Sequence, residues 1–284
     1  MRNTSFTLIV VWLSSPHSDR FRPTMHPWIL LLAAGVVCGF LNAAASSGSA
    51  LTLPLLLMLG LPPAVANGTN RLPVLVGMAS ALWNFQRSRV IPWSFALRLL
   101  PVFLLSALAG AGLATILPMD QIRGLVHVAL VLAFFLVLLK PQRWLSANAV
   151  FMGDQPPSIV LQCLMAVVGL WAGLIVLDVA TYLLVSLVLV GGLGLQQASA
   201  VKVVLIGAST VISLAVFIHG GEVDWPSALP LMVGSAFGGW LGAALALGPQ
   251  ARSWIYRLLL LALSFELALM VWGFLHPSTK MIMM

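Results

Sequence analysis

Long apolar runs separated by short polar interruptions occupy almost the whole chain. They cover residues 28–45, 50–61, 63–85, 93–117, 124–139, 158–177, 179–195, 196–218, 225–247 and 254–275. Most approach the ~20 residues that a helix needs to cross a bilayer. The run at 50–61 is too short and reads as a half-helix or re-entrant piece. The ten-residue alternation of a membrane strand is not the pattern. The expected fold is therefore an all-α integral membrane protein. It should have about eight full transmembrane helices plus short or broken segments.

Composition makes the bilayer necessary. Of the residues, 61% are hydrophobic and 7% are charged, and the mean hydropathy is +1.05. Soluble domains carry about 25% charged residues. Folding in water buries at most about three quarters of a chain's surface, too little to hide this one. In lipid, each backbone N–H and C=O must be satisfied internally, which selects helices once strands are set aside.

The formal net charge is +7. In a soluble chain this would suggest a nucleic-acid partner. Here the basic residues lie mostly between apolar runs, where they set membrane orientation, so no nucleic acid is implied. Cys38 and Cys163 fall inside apolar runs without metal-ligand spacing and read as small core residues. Residues 1–24 differ from the rest. A short apolar stretch is followed by Pro16, Asp19, Arg20 and Arg22, then Met25. They read as an N-terminal extension, either a targeting segment or the product of an upstream mis-assigned start.

The remainder repeats. At an offset of 132, Ala66 matches Ala198, Trp93 matches Trp225, Ala96 matches Ala228 and Gly110 matches Gly242. This divides the chain into a first repeat at 25–140, a connecting loop at 141–157 and a second repeat at 158–284. The loop at 86–92 carries Arg87 and Arg89, whereas its counterpart at 219–224 carries Glu222 and Asp224. Basic loops are cytoplasmic, so the halves are expected to be inverted. Repeats around a midplane site characterise many secondary transporters, although duplication alone also produces repeats.

Signatures of soluble enzymes are missing: HExxH, GxSxG, a phosphate-binding Walker loop and a Cys/His cluster. The notable charges are those inside apolar runs, where each costs about 2.5–3.5 kcal/mol and usually faces a cavity or a partner. Arg71 and Lys202 sit about two turns into repeat-equivalent runs, and the two cations are expected to meet near the pseudo-twofold axis. Asp178 interrupts the second half at the place equivalent to the first break, and Glu266 lies midway along the last run. Asp178 and Lys202 read either as a neutralising pair or, separately, as a coupling residue and a substrate contact, and Glu266 reads as a hydrogen-bonding partner or a coupling residue. Arg71 finds no acid within the first half's runs, which points to a counter-charge from the second half or to a bound anion. Polar breaks complete the picture. Asn42, Ser47, Gly48 and Ser49 follow the first run, and Asn67, Thr69 and Asn70 precede Arg71. Such breaks expose backbone N–H groups and helix N-termini that attract anions. Small residues that let helices pack closely are the alternative.

The stretch LNAAASSGSALTLPLLLMLGLPPAVANGTNRLPVL, with ASAVK and GGEVDWPSALPLMVGSAFGGWLGA in the second half, resembles the sulfite exporter TauE/SafE family. The resemblance runs from about Trp28 to Trp272. It implies a permease for sulfite, sulfonates or related sulfur-containing or carboxylated anions, with Asn67, Thr69, Asn70, Arg71 and Lys202 at motif positions. Two departures stand out. Serines replace glycines in the first break, and Asp178 stands where the family has a small residue.

The reading is a secondary transporter of a small anion in the cell inner membrane, with the lipid bilayer and the anionic substrate as its partners. The substrate is expected among Asn42, Ser47, Gly48, Ser49, Asn67, Thr69 and Asn70, with Ser47, Ser49, Thr69 and Asn70 donating hydrogen bonds and Arg71 and Lys202 balancing its charge. No cofactor and no metal are implied, and the oligomeric state is left open. A passive anion channel and a non-transport intramembrane enzyme or assembly subunit are the alternatives.

Overall fold

The computed structural model describes residues 27–44, 48–114, 135, 156–175 and 178–275. Among them the chain forms nine helices and no strand. These are α1 (Pro27–Ala44), α2 (Ser49–Met58), α3 (Pro63–Arg87), α4 (Trp93–Ala114), α5 (Ile159–Leu174), α6 (Val179–Leu189), α7 (Leu195–His219), α8 (Trp225–Leu247) and α9 (Ala251–Leu275). The runs become helices because a helix satisfies nearly every backbone group within one segment. Prolines start α3 and α8 at positions where the missing N–H costs nothing.

Three described helices, α4, α7 and α8, are both long and apolar enough to cross a membrane. The expected count of about eight full spans is not reached among the described residues. The run at 124–139 lies outside them, apart from Phe135. The two 25-residue helices α3 and α7 show why composition matters: α7 qualifies, and α3 carries the polar stretch Asn67–Arg71. A second difference concerns residues 179–195, expected as a full span. Helix α6 stops at Leu189 after 11 residues, because Gly191 and Gly192 follow and Gly192 turns at φ 69°. Both halves thus contain one half-length helix, α2 and α6, each about 15 Å long.

Helix starts repeat with the sequence. α1 and α5, α3 and α7, and α4 and α8 all begin 132 residues apart. Packing follows the same exchange. α1 lies along α8, and its counterpart α5 lies along α4. Both pairs run parallel and approach through glycines. Gly35 abuts Leu231 and Gly238 abuts Val36 in one pair, while Gly169 abuts Phe103 and Gly173 abuts Ala107 in the other. A Cβ at Gly173 would stand 1.9 Å from Ala107 O, so any larger residue would force the backbones apart.

The central pair, α3 and α7, runs antiparallel. Arg71 stacks on Phe217 near one end, and Met78 meets Gly207 nearer the middle. α8 runs parallel to α3, fixed by hydrogen bonds from Ser235 Oγ to Pro73 O, Ser80 Oγ to Ala236 O and Asn84 Nδ2 to Trp240 O. Buried Met78, Phe85, Leu99, Phe103, Met165 and Leu205 belong to one apolar core. Outward faces are also apolar, as Leu105, Ile159 and Val233 illustrate. In water such a surface would be a liability, whereas in a bilayer it is the solvent-facing side.

Candidate functional site

The first break lies between α1 and α2, where the small polar residues of the sequence stop one helix and start another. Asn42 Oδ1 accepts the Gly48 N–H at 2.7 Å, and Asn42 Nδ2 donates to Cys38 Sγ at 3.4 Å. Gly48 must be glycine, because a Cβ there would stand 2.1 Å from Cys38 O. Thr52 Oγ1 lies 3.5 Å from Gly48 O and donates to Asn70 Oδ1 on α3. From the other half, Lys202 Nζ donates to Ala43 O at 3.3 Å, in the last turn of α1. A hydrogen-bonded path thus links Lys202, the end of α1, the start of α2 and Asn70. Two buried atoms along it, Ser49 Oγ and Asn70 Nδ2, have no hydrogen-bond partner among the described residues. Ser47 lies outside the described residues.

The second break lies between α5 and α6. Ile175 N–H closes on Trp171 O and Ile175 itself turns extended, so among the described residues the carbonyls of Ala172, Gly173 and Leu174 have no intrahelical donor. Residues from α3 supply all three. Arg71 Nη1 donates to Ala172 O at 2.9 Å, Arg71 Nη2 to Gly173 O at 2.6 Å, and Asn67 Nδ2 to Leu174 O at 3.1 Å. The guanidinium carbon also sits 4.6 Å from the centre of the Phe217 ring, a cation–π contact. Arg71 is 1% exposed, so these contacts replace part of its hydration, and Nε is left without a partner among the described residues. A cation at a helix C-terminus also meets the negative end of the helix dipole. The counter-charge sought for Arg71 is therefore met in good part by backbone carbonyls of the second half.

The two cations do not come together. Arg71 lies over Phe217, and about 22 Å of α7 separates Phe217 from Lys202 at 1.5 Å per residue. The reason is the antiparallel crossing of α3 and α7, which sends equivalent positions to opposite ends. Lys202 hydrogen-bonds Ala43 O, at the end of α1. Asp178 is buried and starts α6 in the left-handed region at φ 58°, a conformation aspartate tolerates better than most residues. Thr69 is engaged elsewhere, its hydroxyl accepting the Asp224 N–H at 2.8 Å. Glu266 falls in α9, with its side chain outside the described residues. Reading the sequence missed Thr52 and gave Cys38 only a packing role. The available signal was helical spacing, since Cys38 and Asn42 lie one turn apart on one face. Among the described residues no three His, Cys, Asp or Glu side chains gather as a metal site.

Comparison with known proteins agrees with this architecture. A probable membrane transporter protein (ORF9) of a Sinorhizobium species is 27% identical over 250 residues, covering 86% of this chain and 92% of the relative. A probable membrane transporter protein of Haemophilus influenzae is 29% identical over 226 residues, covering 77% and 84%. The probable membrane transporter protein YfcA of Escherichia coli K12 is 26% identical over 218 residues, covering 77% and 80%. No solved structure matches the chain. Residues 31–270 match the sulfite exporter TauE/SafE family model, and the chain, a multi-pass membrane protein, belongs to that transporter family.

Proposed function

We propose that this transporter moves a small anion across the inner membrane and that the anion binds at the first break, with Lys202 as its principal charge contact. The observation that carries the reading is the state of Lys202. An ammonium has three donors, and this one, 0% exposed, has among the described residues a single acceptor at 3.3 Å. Ser49 Oγ and Asn70 Nδ2, buried along the same path, are likewise unpartnered. The N-terminus of α2 adds backbone N–H groups and the positive end of a dipole. Donors without acceptors, beside a cation with spare capacity, suit an oxyanion: sulfite, an organosulfonate or a short carboxylate. Arg71 and Asn67 belong to the second break, where they cap a helix.

The proposed frame is two inverted halves, residues 25–140 and 158–284. The antiparallel crossing of α3 and α7 supports it, as does the opposite charge of the loops at 86–92 and 219–224. With the basic loop cytoplasmic, the acidic loop faces the other side.

Vesicles containing purified protein should accumulate one or more of sulfite, methanesulfonate, thiosulfate and acetate, and Lys202→Gln should reduce that uptake. Uptake of none of these anions, by protein shown to be folded, would contradict the reading. Single-cysteine labels at Ser88 and Gly221, in a background lacking Cys38 and Cys163, should react from opposite sides. Labelling from one side would remove the inverted frame.

A further inference from the structure

Thr52 occupies a particular place in the first break. Its hydroxyl has one proton to give and three atoms within reach: Cys38 Sγ at 3.6 Å, Gly48 O at 3.5 Å and, closest, Asn70 Oδ1. The proton goes to the nearest and strongest acceptor, the amide oxygen. That choice has a consequence at the other end of the amide. With Oδ1 engaged, Asn70 presents Nδ2, and this buried nitrogen has no partner. An amide is otherwise ambiguous, because it offers an acceptor or a donor depending on which way it turns. We propose that Thr52 is a positioning residue that locks Asn70 as a hydrogen-bond donor and so makes the first break selective for anions.

The inference rests on placing the anion at that break. Asn70 is 0% exposed and Thr52 is 0% exposed, so water cannot substitute for either partner without rearrangement. Cys38 supports the same polarity. It accepts from Asn42 Nδ2, which turns Asn42 Oδ1 toward the Gly48 N–H and holds the start of α2 beside Thr52. Without the Thr52 hydroxyl, the amide of Asn70 could rotate and offer its oxygen, which repels an anion and accepts from water or a cation.

A double-mutant cycle tests this with sulfite, methanesulfonate and acetate as probes and protein-mediated uptake as the readout. Thr52→Val keeps the shape and removes the hydroxyl. It should raise KM about fivefold, the effect of one fixed hydrogen bond, with kcat close to wild type and a small loss of thermal stability. Thr52→Ser should restore the wild-type KM. Asn70→Ala should raise KM by a similar factor, and the double variant should be no worse than Asn70→Ala alone, because Thr52 acts only through Asn70. Additive losses would overturn the inference, as would a Thr52→Val protein with unchanged KM. Normal binding in Asn70→Ala alongside lost binding in Lys202→Gln would also overturn it while leaving the anion site standing. Wild-type protein that takes up none of the three probes would instead remove the site, and this inference with it.

Discussion

The two broken helices of this transporter have related sequences and are held by different kinds of cation. At the second break, three carbonyls of α5 meet three donors from α3, while Arg71 Nε and Asn67 Oδ1 stay without a partner among the described residues. At the first break, one donor from α7 meets the end of α1, while neighbouring donors stay unpartnered. In each case the cation comes from the opposite half of the chain. An arginine presents a planar fork that spans two adjacent carbonyls, whereas a lysine is a point charge that occupies one. Placing different cations on equivalent helices therefore ties the second break to α3 by three side-chain hydrogen bonds and the first break to α7 by one. A cation in a membrane helix is thus not in itself a substrate contact.

Arg71 should give the largest effect. Arg71→Gln removes two charge-assisted hydrogen bonds and the contact with Phe217. It should destabilise the folded protein by about 3–5 kcal/mol, at about 1.5–3 kcal/mol for each hydrogen bond to a charged group. Thermal unfolding in detergent would measure it. A variant as stable as wild type would show that the cap contributes little. Arg71→Lys should be intermediate, because the charge is kept at the helix end and the two-carbonyl grip is lost. Equal stability of the lysine variant and wild type would mean that dipole attraction alone holds the break. Asn67→Ala should cost about 1 kcal/mol, one neutral hydrogen bond to Leu174 O. It should leave anion uptake unchanged if the second break only supports structure. A loss of uptake without a loss of stability would bring the substrate to that break as well.

Much of this was legible in the apolar pattern. Trp93, Trp225 and Pro63 start helices where the runs begin. The residues of 50–61 form a half-helix, as their length implies. The end of α6 was hidden because residues 190–195 hold no charge, and glycines that stop a helix do not interrupt apolar composition. At the site, Ser49, Asn70 and Lys202 were visible as polar residues in apolar surroundings. The partners of Arg71 were not, because backbone carbonyls have no letter in a sequence and the search for a counter-charge could consider only acids. Thr52 was hidden for another reason: a threonine in an apolar run is common, and its importance lies in contacts across to Cys38 and Asn70.

The most direct test compares the two cations under one readout, anion-dependent thermal stabilisation of purified protein, with sulfite, methanesulfonate and acetate. Lys202→Gln should fold with near wild-type stability in the absence of anion. It should need at least about tenfold more anion for the same stabilisation, corresponding to ~1.4 kcal/mol of binding. Arg71→Gln should start from a lower melting temperature and respond to the anion over the wild-type concentration range. The reverse pattern, with affinity lost in Arg71→Gln and kept in Lys202→Gln, would contradict the assignment of the anion to the first break.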